Sequence, residues 1–66
     1  MMEFTTKMRE HRLRKKMSQI ELAEKVGCRR ETIGKLENGK YNPSLKLALD
    51  VAKALDATVY DLFFFD

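Results

Sequence analysis

The chain has few of the residues that cross-link proteins or carry out catalysis. Its 66 residues include one cysteine and one histidine, so no internal disulfide can form and soft ligands are too few for a structural zinc site. It has no glycine-rich phosphate loop and no group of carboxylates apart from predicted helix caps, which argues against an enzyme. We therefore expect no cofactor, no metal and no small-molecule ligand.

Long apolar runs are also missing. No stretch approaches the roughly 20 residues of a bilayer-spanning helix, and residues 1–16 lack the apolar core of a signal peptide. We expect a cytoplasmic protein with no membrane partner. A chain of 66 residues predicts a single domain, 1–66, with one small core.

The charge is unevenly divided along the chain. Residues 1–42 carry 11 Lys/Arg and 6 Glu, a formal charge of +5, whereas residues 43–66 carry 2 Lys and 4 Asp, a charge of −2. The first part could face a polyanion while the second packs or pairs. Charge alone fits an ordinary solvated helix face equally well.

Helical periodicity and capping signals predict five helices. Thr5 or Thr6 can cap a basic first helix that runs to about residue 16. The second helix begins at Gln19, because Ser18 and Glu21 have the spacing of a capping box, and it ends at Gly27. The inward candidates are Met8, Leu13 and His11 on the first helix and Ile20, Leu22, Ala23 and Val26 on the second.

The third predicted helix, 29–38, has a short polar outer face. Ile33 and Leu36 lie three residues apart on its inner side. Successive residues of a helix lie about 100° apart around its axis. The opposite side of this helix therefore carries Glu31, Gly34, Lys35 and Asn38, flanked by Arg30 and Thr32.

Turn residues fill 38–43, after which Ser44 caps a fourth helix that runs to about residue 55. This helix is apolar on most sides and is predicted to be central and buried. Thr58 and Asp61 have capping-box spacing for a short fifth helix, in which Val59, Leu62 and Phe63 face inward.

The two ends of the chain hold all four phenylalanines. Phe63 is expected in the core, which leaves Phe4, Phe64 and Phe65 for another surface. We predict that residues 1–4 and 62–66 pair as a short antiparallel ribbon and form a two-fold dimer interface. The alternative is a frayed, sticky terminus.

Three segments together resemble the helix-turn-helix family of the phage repressor and Cro type: MSQIELAEKVG (17–27), RRETIGKLENGKYNPSL (29–45) and ALDATVYDLF (54–63). The resemblance covers about residues 8–63. It implies an all-α, five-helix repressor-like domain with the helix-turn-helix at about 18–38. It also implies a homodimer on a palindromic DNA operator, with the third helix in the major groove.

The resemblance assigns roles to individual residues. Four positions would face base edges: Arg30, Glu31, Thr32 and Lys35. Gln19 would contact a base or a phosphate, although an ordinary first-turn polar residue is the alternative. Glu31 and Lys35 could instead form an i,i+4 ion pair. The loop that grips the DNA backbone would use Asn38, Lys40, Tyr41 and Asn42.

Further positions match or depart from the family pattern. Arg12 and Glu37 match a structural ion pair between the first and third helices. Arg29 stands where a capping Ser or Thr is usual and could reach a phosphate instead. Gly34 is exposed in mid-helix, either for close approach to DNA or by tolerance. Lys16 replaces a common glycine.

The implied function is that of a sequence-specific transcriptional regulator, most often a repressor. An antitoxin or a restriction-control protein would use the same domain. A protein-interaction adaptor that has lost DNA binding is a third hypothesis, which the basic residues Arg30, Lys35 and Lys40 disfavour.

Overall fold

The computed structural model describes residues 4–65 as five helices and a two-stranded antiparallel sheet. The predicted five-helix fold, with a ribbon formed by the two ends, is confirmed. No helix in this part of the chain is long and apolar enough to cross a membrane. The elements in chain order are β1 (Phe4–Thr6), α1 (Met8–Arg14), α2 (Gln19–Val26), α3 (Arg30–Glu37), α4 (Leu45–Ala54), α5 (Val59–Leu62) and β2 (Phe63–Phe65).

Side-chain caps begin three of the helices at the predicted residues. At α2, the Ser18 hydroxyl accepts from the Glu21 N–H at 3.0 Å, and the Glu21 carboxylate accepts from the Ser18 N–H at 2.9 Å. Thr58 and Asp61 form the same reciprocal pair at α5. Ser44 caps α4 through the Leu47 N–H at 3.1 Å. These bonds satisfy backbone donors that would otherwise be unpaired.

Left-handed residues end the first four helices. Gly27 and Gly39 have φ values of 74° and 69°, and Lys16 and Asp56 have φ values of 56° and 53°. Gly39 also has a steric reason to be glycine, because a Cβ there would lie 2.2 Å from the carbonyl oxygen of Phe4. The turn after α3 is therefore held against β1.

The start of the chain differs from the prediction. Thr5 and Thr6 lie in β1, and Lys7 precedes α1 without a side-chain cap. Pairing with the distant residues 63–65 extends the backbone of Thr5 and Thr6, so neither residue directly precedes the helix. The Thr6 hydroxyl still makes a contact of the predicted kind, because it accepts from the Met8 N–H at 3.4 Å. It also donates to the Glu37 carbonyl at 3.2 Å.

The inner face of α1 is also different from the prediction. Met8 and Arg12, one helical turn apart, are buried, whereas Leu13 is exposed. Leu13 lies about 140° around the helix from Met8. Ile20, predicted on the apolar side of α2, is likewise exposed.

The core lies between the helices and one face of the ribbon. Ile33 and Leu36 of α3 are fully buried, as predicted. α4 is only partly buried, because Leu45 and Leu49 are 75% and 51% exposed. Together with Tyr60 of α5, which is 88% exposed, they form an apolar surface that we call the α4–α5 face. The apolar residues on most sides of α4 are thus not all buried in this single chain.

The ribbon pairs Phe4 with Phe65, Thr5 with Phe64 and Thr6 with Phe63. Phe63 is buried, as predicted, and Phe4 is also buried at 7% exposure. The placement of Phe4 on an outer surface was wrong, because its ring packs 6.0 Å from that of Phe63 and 5.2 Å from that of Phe65. Residues 1–3 and 66, which the predicted ribbon included, lie outside the described residues.

Candidate nucleic-acid interface

The outer side of α3 presents polar and charged groups to solvent. Burial of Ile33 and Leu36 on the inner side leaves Arg30, Glu31 and Lys35 exposed and Thr32 half-buried. Within residues 4–65, Glu31 and Lys35 form no ion pair, so the i,i+4 pairing of these two residues is not seen. Both side chains are accessible to a ligand.

The loop after α3 continues this polar surface. Its side chains Asn38, Lys40, Tyr41 and Asn42 are all accessible to solvent. The loop backbone is anchored at both sides, since the Lys40 N–H donates to the Lys35 carbonyl at 2.9 Å and Gly39 abuts the Phe4 carbonyl. The loop therefore combines solvent-accessible side chains with a backbone that is fixed to α3 and to the ribbon.

Arg29 precedes α3 and is exposed. Its backbone is extended, as a capping residue requires, but its side chain makes no capping hydrogen bond. The guanidinium is consequently accessible at the beginning of the helix whose outer face carries the other candidate residues.

A buried ion pair joins α1 to the end of α3. The Arg12 Nε donates to Glu37 Oε2 at 2.6 Å, and Arg12 Nη1 donates to the Met17 carbonyl at 2.9 Å. The Glu37 side chain is 0% exposed. The structure thus brings together the two residues that the sequence paired, and ties them to the turn before α2.

The Glu37 carboxylate is charged despite its burial. Burial alone would raise the pKa of Glu37, but hydrogen bonds from Arg12 and Gln19 and the charge of Arg12 outweigh burial and lower this pKa below its ordinary value. Arg9 contributes a longer contact, with Nε 3.4 Å from Glu37 Oε1. In residues 4–65, no buried side-chain nitrogen or oxygen lacks a hydrogen-bond partner.

Gln19 connects this buried carboxylate to the surface of α3. Its Nε2 donates to Glu37 Oε1 at 3.0 Å, and its Oε1 accepts from Arg30 Nη1 at 3.1 Å. Sequence reasoning missed this connection. Gln19 and Glu37 are 18 residues apart, and no periodicity within one helix indicates a contact between two helices.

Much of the positive charge around α1 is engaged within the chain. Arg9 and Arg12 face Glu37, and Lys15 pairs with Asp56. The Lys7 ammonium lies 5.5 Å from the centroid of the Phe64 ring. The basic composition of the first helix is therefore a weaker indicator of a polyanion site than the exposed residues of α3 and its loop.

Comparisons with known proteins agree with this geometry. A family model described as helix-turn-helix matches residues 8–62. An uncharacterised HTH-type transcriptional regulator of Archaeoglobus fulgidus is 57% identical over 61 residues, which are 92% of this chain and 87% of that protein.

Two solved structures are similar in fold and sequence. The restriction-modification controller protein C.AhdI from Aeromonas hydrophila has a TM-score of 0.75 and 39% identity, over 82% of each chain. The second is the crystal structure of SinR, the master regulator for biofilm formation, in complex with DNA; SinR is a protein of Bacillus subtilis. It has a TM-score of 0.72 and 31% identity, over 80% of this chain and 86% of that one.

Proposed function

Because the chain belongs to the helix-turn-helix family of transcriptional regulators, we propose that it binds double-stranded DNA sequence-specifically, as a homodimer on a palindromic operator, and represses transcription there. The observation that carries this proposal is the exposed polar face of α3, which continues into a backbone-anchored loop with exposed amide, ammonium and hydroxyl groups. A helix with such a face suits the major groove, and such a loop suits the phosphates beside it.

The exposed residues divide into two roles. On α3, Arg30 or Lys35 donates to guanine O6 and N7, Glu31 accepts from cytosine N4, and Thr32 contacts a thymine methyl group. The remaining side chains bind phosphates, which sets the register of the protein without reading sequence. These are Arg29, Asn38, Lys40, Tyr41 and Asn42.

The homodimer would place two copies of α3 on successive turns of DNA. Phe64 and Phe65, which are 42% and 52% exposed, are the proposed contact between copies. Phe4 supports this contact from within the core by packing under Phe65. Repression follows if the bound dimer excludes RNA polymerase from a promoter.

A role in controlling a restriction-modification system is the second candidate. The likeness to C.AhdI, a controller protein of that kind, favours this role over that of an antitoxin or an adaptor. Repression of another gene and restriction control require the same DNA-binding surface and differ in the gene that is regulated.

Titration of matched variants against a preferred duplex tests the division of roles. Arg30→Ala should reduce discrimination between bases, whereas Lys40→Ala should weaken binding to all duplexes alike and reduce the salt dependence. Lys53→Ala removes the same charge from the exposed last turn of α4 and should leave affinity nearly unchanged. Equal losses in all three variants would contradict a specific α3 interface.

A further inference from the structure

We propose that β1 positions the loop after α3, residues 38–42, for its phosphate contacts, and that Thr6 is the positioning residue through which the strand does so. This inference rests on the proposed DNA-binding function, because it concerns the phosphate contacts assigned to that loop. The strand acts on the loop and makes no contact with DNA of its own.

The Thr6 hydroxyl binds the last carbonyl of α3. Thr6 Oγ1 donates to the Glu37 carbonyl oxygen at 3.2 Å, and Glu37 is the last residue of that helix. Carbonyls in the last turn of a helix have no partner within the helix, so this bond from another element acts as a C-terminal cap. The same hydroxyl accepts from the Met8 N–H at 3.4 Å. One side chain thus joins the beginning of α1 to the residue from which the loop starts.

The backbone of β1 contacts the loop as well. The Lys7 N–H donates to the Leu62 carbonyl at 2.9 Å, and in an antiparallel pair alternate residues direct their backbone groups toward the partner strand. The backbone groups of Phe4 therefore point away from β2. They lie against the loop, since a Cβ at Gly39 would be 2.2 Å from the Phe4 carbonyl oxygen. β1 thus pairs with β2 along one edge and contacts the loop along the other.

The turn after α2 shows what the contact with β1 adds. Gly27 and Gly39 are both left-handed, and the next residue donates to the carbonyl five residues before it, at 3.0 Å after Gly27 and at 2.9 Å after Gly39. Within residues 4–65, a Cβ at Gly27 would meet no atom within 4 Å. The two turns have similar internal bonds, but the one after α3 is also packed against a strand.

A loop held in this way is oriented before DNA arrives. Ordering a loop on binding costs free energy, and a loop that is already ordered avoids that cost. The phosphate contact of the exposed Lys40 should therefore depend on the Thr6 hydroxyl. Base reading by α3 should not depend on it, because burial of Ile33 and Leu36 fixes the outer face of that helix.

Matched variants of two neighbouring threonines test the proposal. Thr6→Val removes the hydroxyl and keeps the branched shape that suits a strand, whereas Thr6→Ser keeps the hydroxyl. Thr5→Val is the control, because it makes the same change at an exposed side chain on the other face of the ribbon. Each protein is titrated with the selected operator and with altered duplexes at several salt concentrations, at a temperature where denaturation curves show it to be folded.

We expect Thr6→Val to weaken binding to all duplexes alike and to reduce the slope of log affinity against log salt by about 0.9, the value for one phosphate contact. Lys40→Ala should reduce the slope by the same amount. The two changes combined should reduce it no further than Lys40→Ala alone. Thr6→Ser and Thr5→Val should keep the wild-type slope.

The salt slope separates a positioning role from a loss of folded protein. A Thr6→Val protein with weaker binding but a wild-type slope would have lost active molecules only, and this result would overturn the proposal. A wild-type slope and affinity in Thr6→Val, beside a reduced slope in Lys40→Ala, would overturn it too. A wild-type slope in Lys40→Ala would instead contradict the proposed phosphate contact of the loop.

A measurement without DNA tests the anchoring by itself. The Lys40 and Cys28 amides occupy the same position in the turns after α3 and α2, with bonds of 2.9 and 3.0 Å. Local opening sets the rate of amide hydrogen exchange, so Thr6→Val should accelerate exchange at Lys40 and leave Cys28 at its wild-type rate. An unchanged rate at Lys40, or equal acceleration of both amides, would overturn the anchoring of the loop by β1.

Discussion

Glu37 is the residue on which the polar contacts of the interior converge. It accepts hydrogen bonds from Arg12 and Gln19, and its own carbonyl accepts from Thr6. The desolvation of both charges offsets much of the attraction in a buried ion pair, so the pair itself adds little stability. Loss of one partner is costly, however, because the other charge remains buried.

Glu37→Gln should therefore destabilise the protein by about 3–5 kcal/mol. A domain of this size has a total free energy of unfolding of roughly 3–10 kcal/mol, so the variant is expected to be partly unfolded. Replacing both partners, Arg12→Met with Glu37→Met, should recover most of the loss. Chemical denaturation of the three proteins provides the check, and a double variant as unstable as the single one would contradict this explanation of the pair.

Acid should destabilise the protein through the same carboxylate. Burial tends to raise the pKa of Glu37, yet Arg12 and Gln19 lower it below the unfolded value. A carboxyl with a depressed pKa stabilises the folded state above the unfolded pKa, about 4.3 for Glu. That contribution is lost as the pH falls through the folded pKa.

Denaturation midpoints measured from pH 7 downward should thus stay level to about pH 5 and then decline. The exposed carboxyls of Glu21, Asp56 and Asp61 add to the decline, since bonds to Ser18, Lys15 and Thr58 respectively lower the pKa of each. In the double Met variant the decline should be shallower. An unchanged slope would show that Glu37 is not the main contributor.

At the scale of the elements, the turns that end the helices differ in whether glycine or another residue occupies the left-handed position. Lys16 adopts a φ of 56°, in the left-handed region. A side chain in this region costs about 1 kcal/mol relative to glycine. The turn after α1 is thus strained where the turn after α2, with Gly27, is not.

Lys16→Gly should stabilise the protein by about 1 kcal/mol. Lys25→Gly is the matched control, because Lys25 has a helical backbone in the last turn of α2, where glycine relieves no strain and loses more conformational freedom on folding. Unfolding free energies of the two variants should therefore change in opposite directions. If both variants were destabilised, strain at residue 16 would not contribute significantly to the free energy of unfolding.

Elements with local signals could be predicted from the sequence, and those with distant partners could not. The capping boxes at Ser18 and Thr58 indicated the starts of α2 and α5, because a cap is made within four residues of chain. The placement of Thr5 and Thr6 in a strand was not predicted, because these residues pair with residues at the far end of the chain. The exposure of Leu45 and Leu49 was missed for a related reason: burial depends on what other elements cover.

The candidate site also has a part that the sequence predicts and a part that depends on distant contacts. The exposed residues of α3 follow from helical periodicity and the burial of Ile33 and Leu36. The bonds from Gln19 to Glu37 and Arg30 depend on the packing of α2 against α3. Such inter-helix geometry leaves no periodic signal in either segment, so these two hydrogen bonds became visible only in three dimensions.

At the scale of the molecule, two exposed apolar surfaces within residues 4–65 could join two copies. One is the ribbon, where Phe64 and Phe65 are exposed, and the other is the α4–α5 face of Leu45, Leu49 and Tyr60. The exposed apolar side chains of both surfaces lie in the part of the sequence that carries a formal charge of −2, and none of them belongs to the α3 surface proposed for DNA. We assign the proposed dimer contact to the ribbon.

Sedimentation at tens of micromolar should therefore show a dimer that Phe64→Ser with Phe65→Ser dissociates. Leu49→Ser with Tyr60→Ser is the matched control and should remain dimeric. Because all four side chains are exposed, their replacement should cost little folding stability. The opposite pattern would move the interface to the α4–α5 face, and a monomeric wild-type protein would refute the homodimer.

Selection of the wild-type protein on random duplexes, followed by titration of the enriched sequence, is the decisive experiment for sequence-specific binding by a dimer. We expect an enriched inverted repeat whose half-sites are centred about one helical turn apart, roughly 10–10.5 base pairs. The affinity should fall as salt rises, and it should exceed the affinity for unrelated duplexes at every salt concentration. Equal affinity for all duplexes would contradict sequence-specific binding.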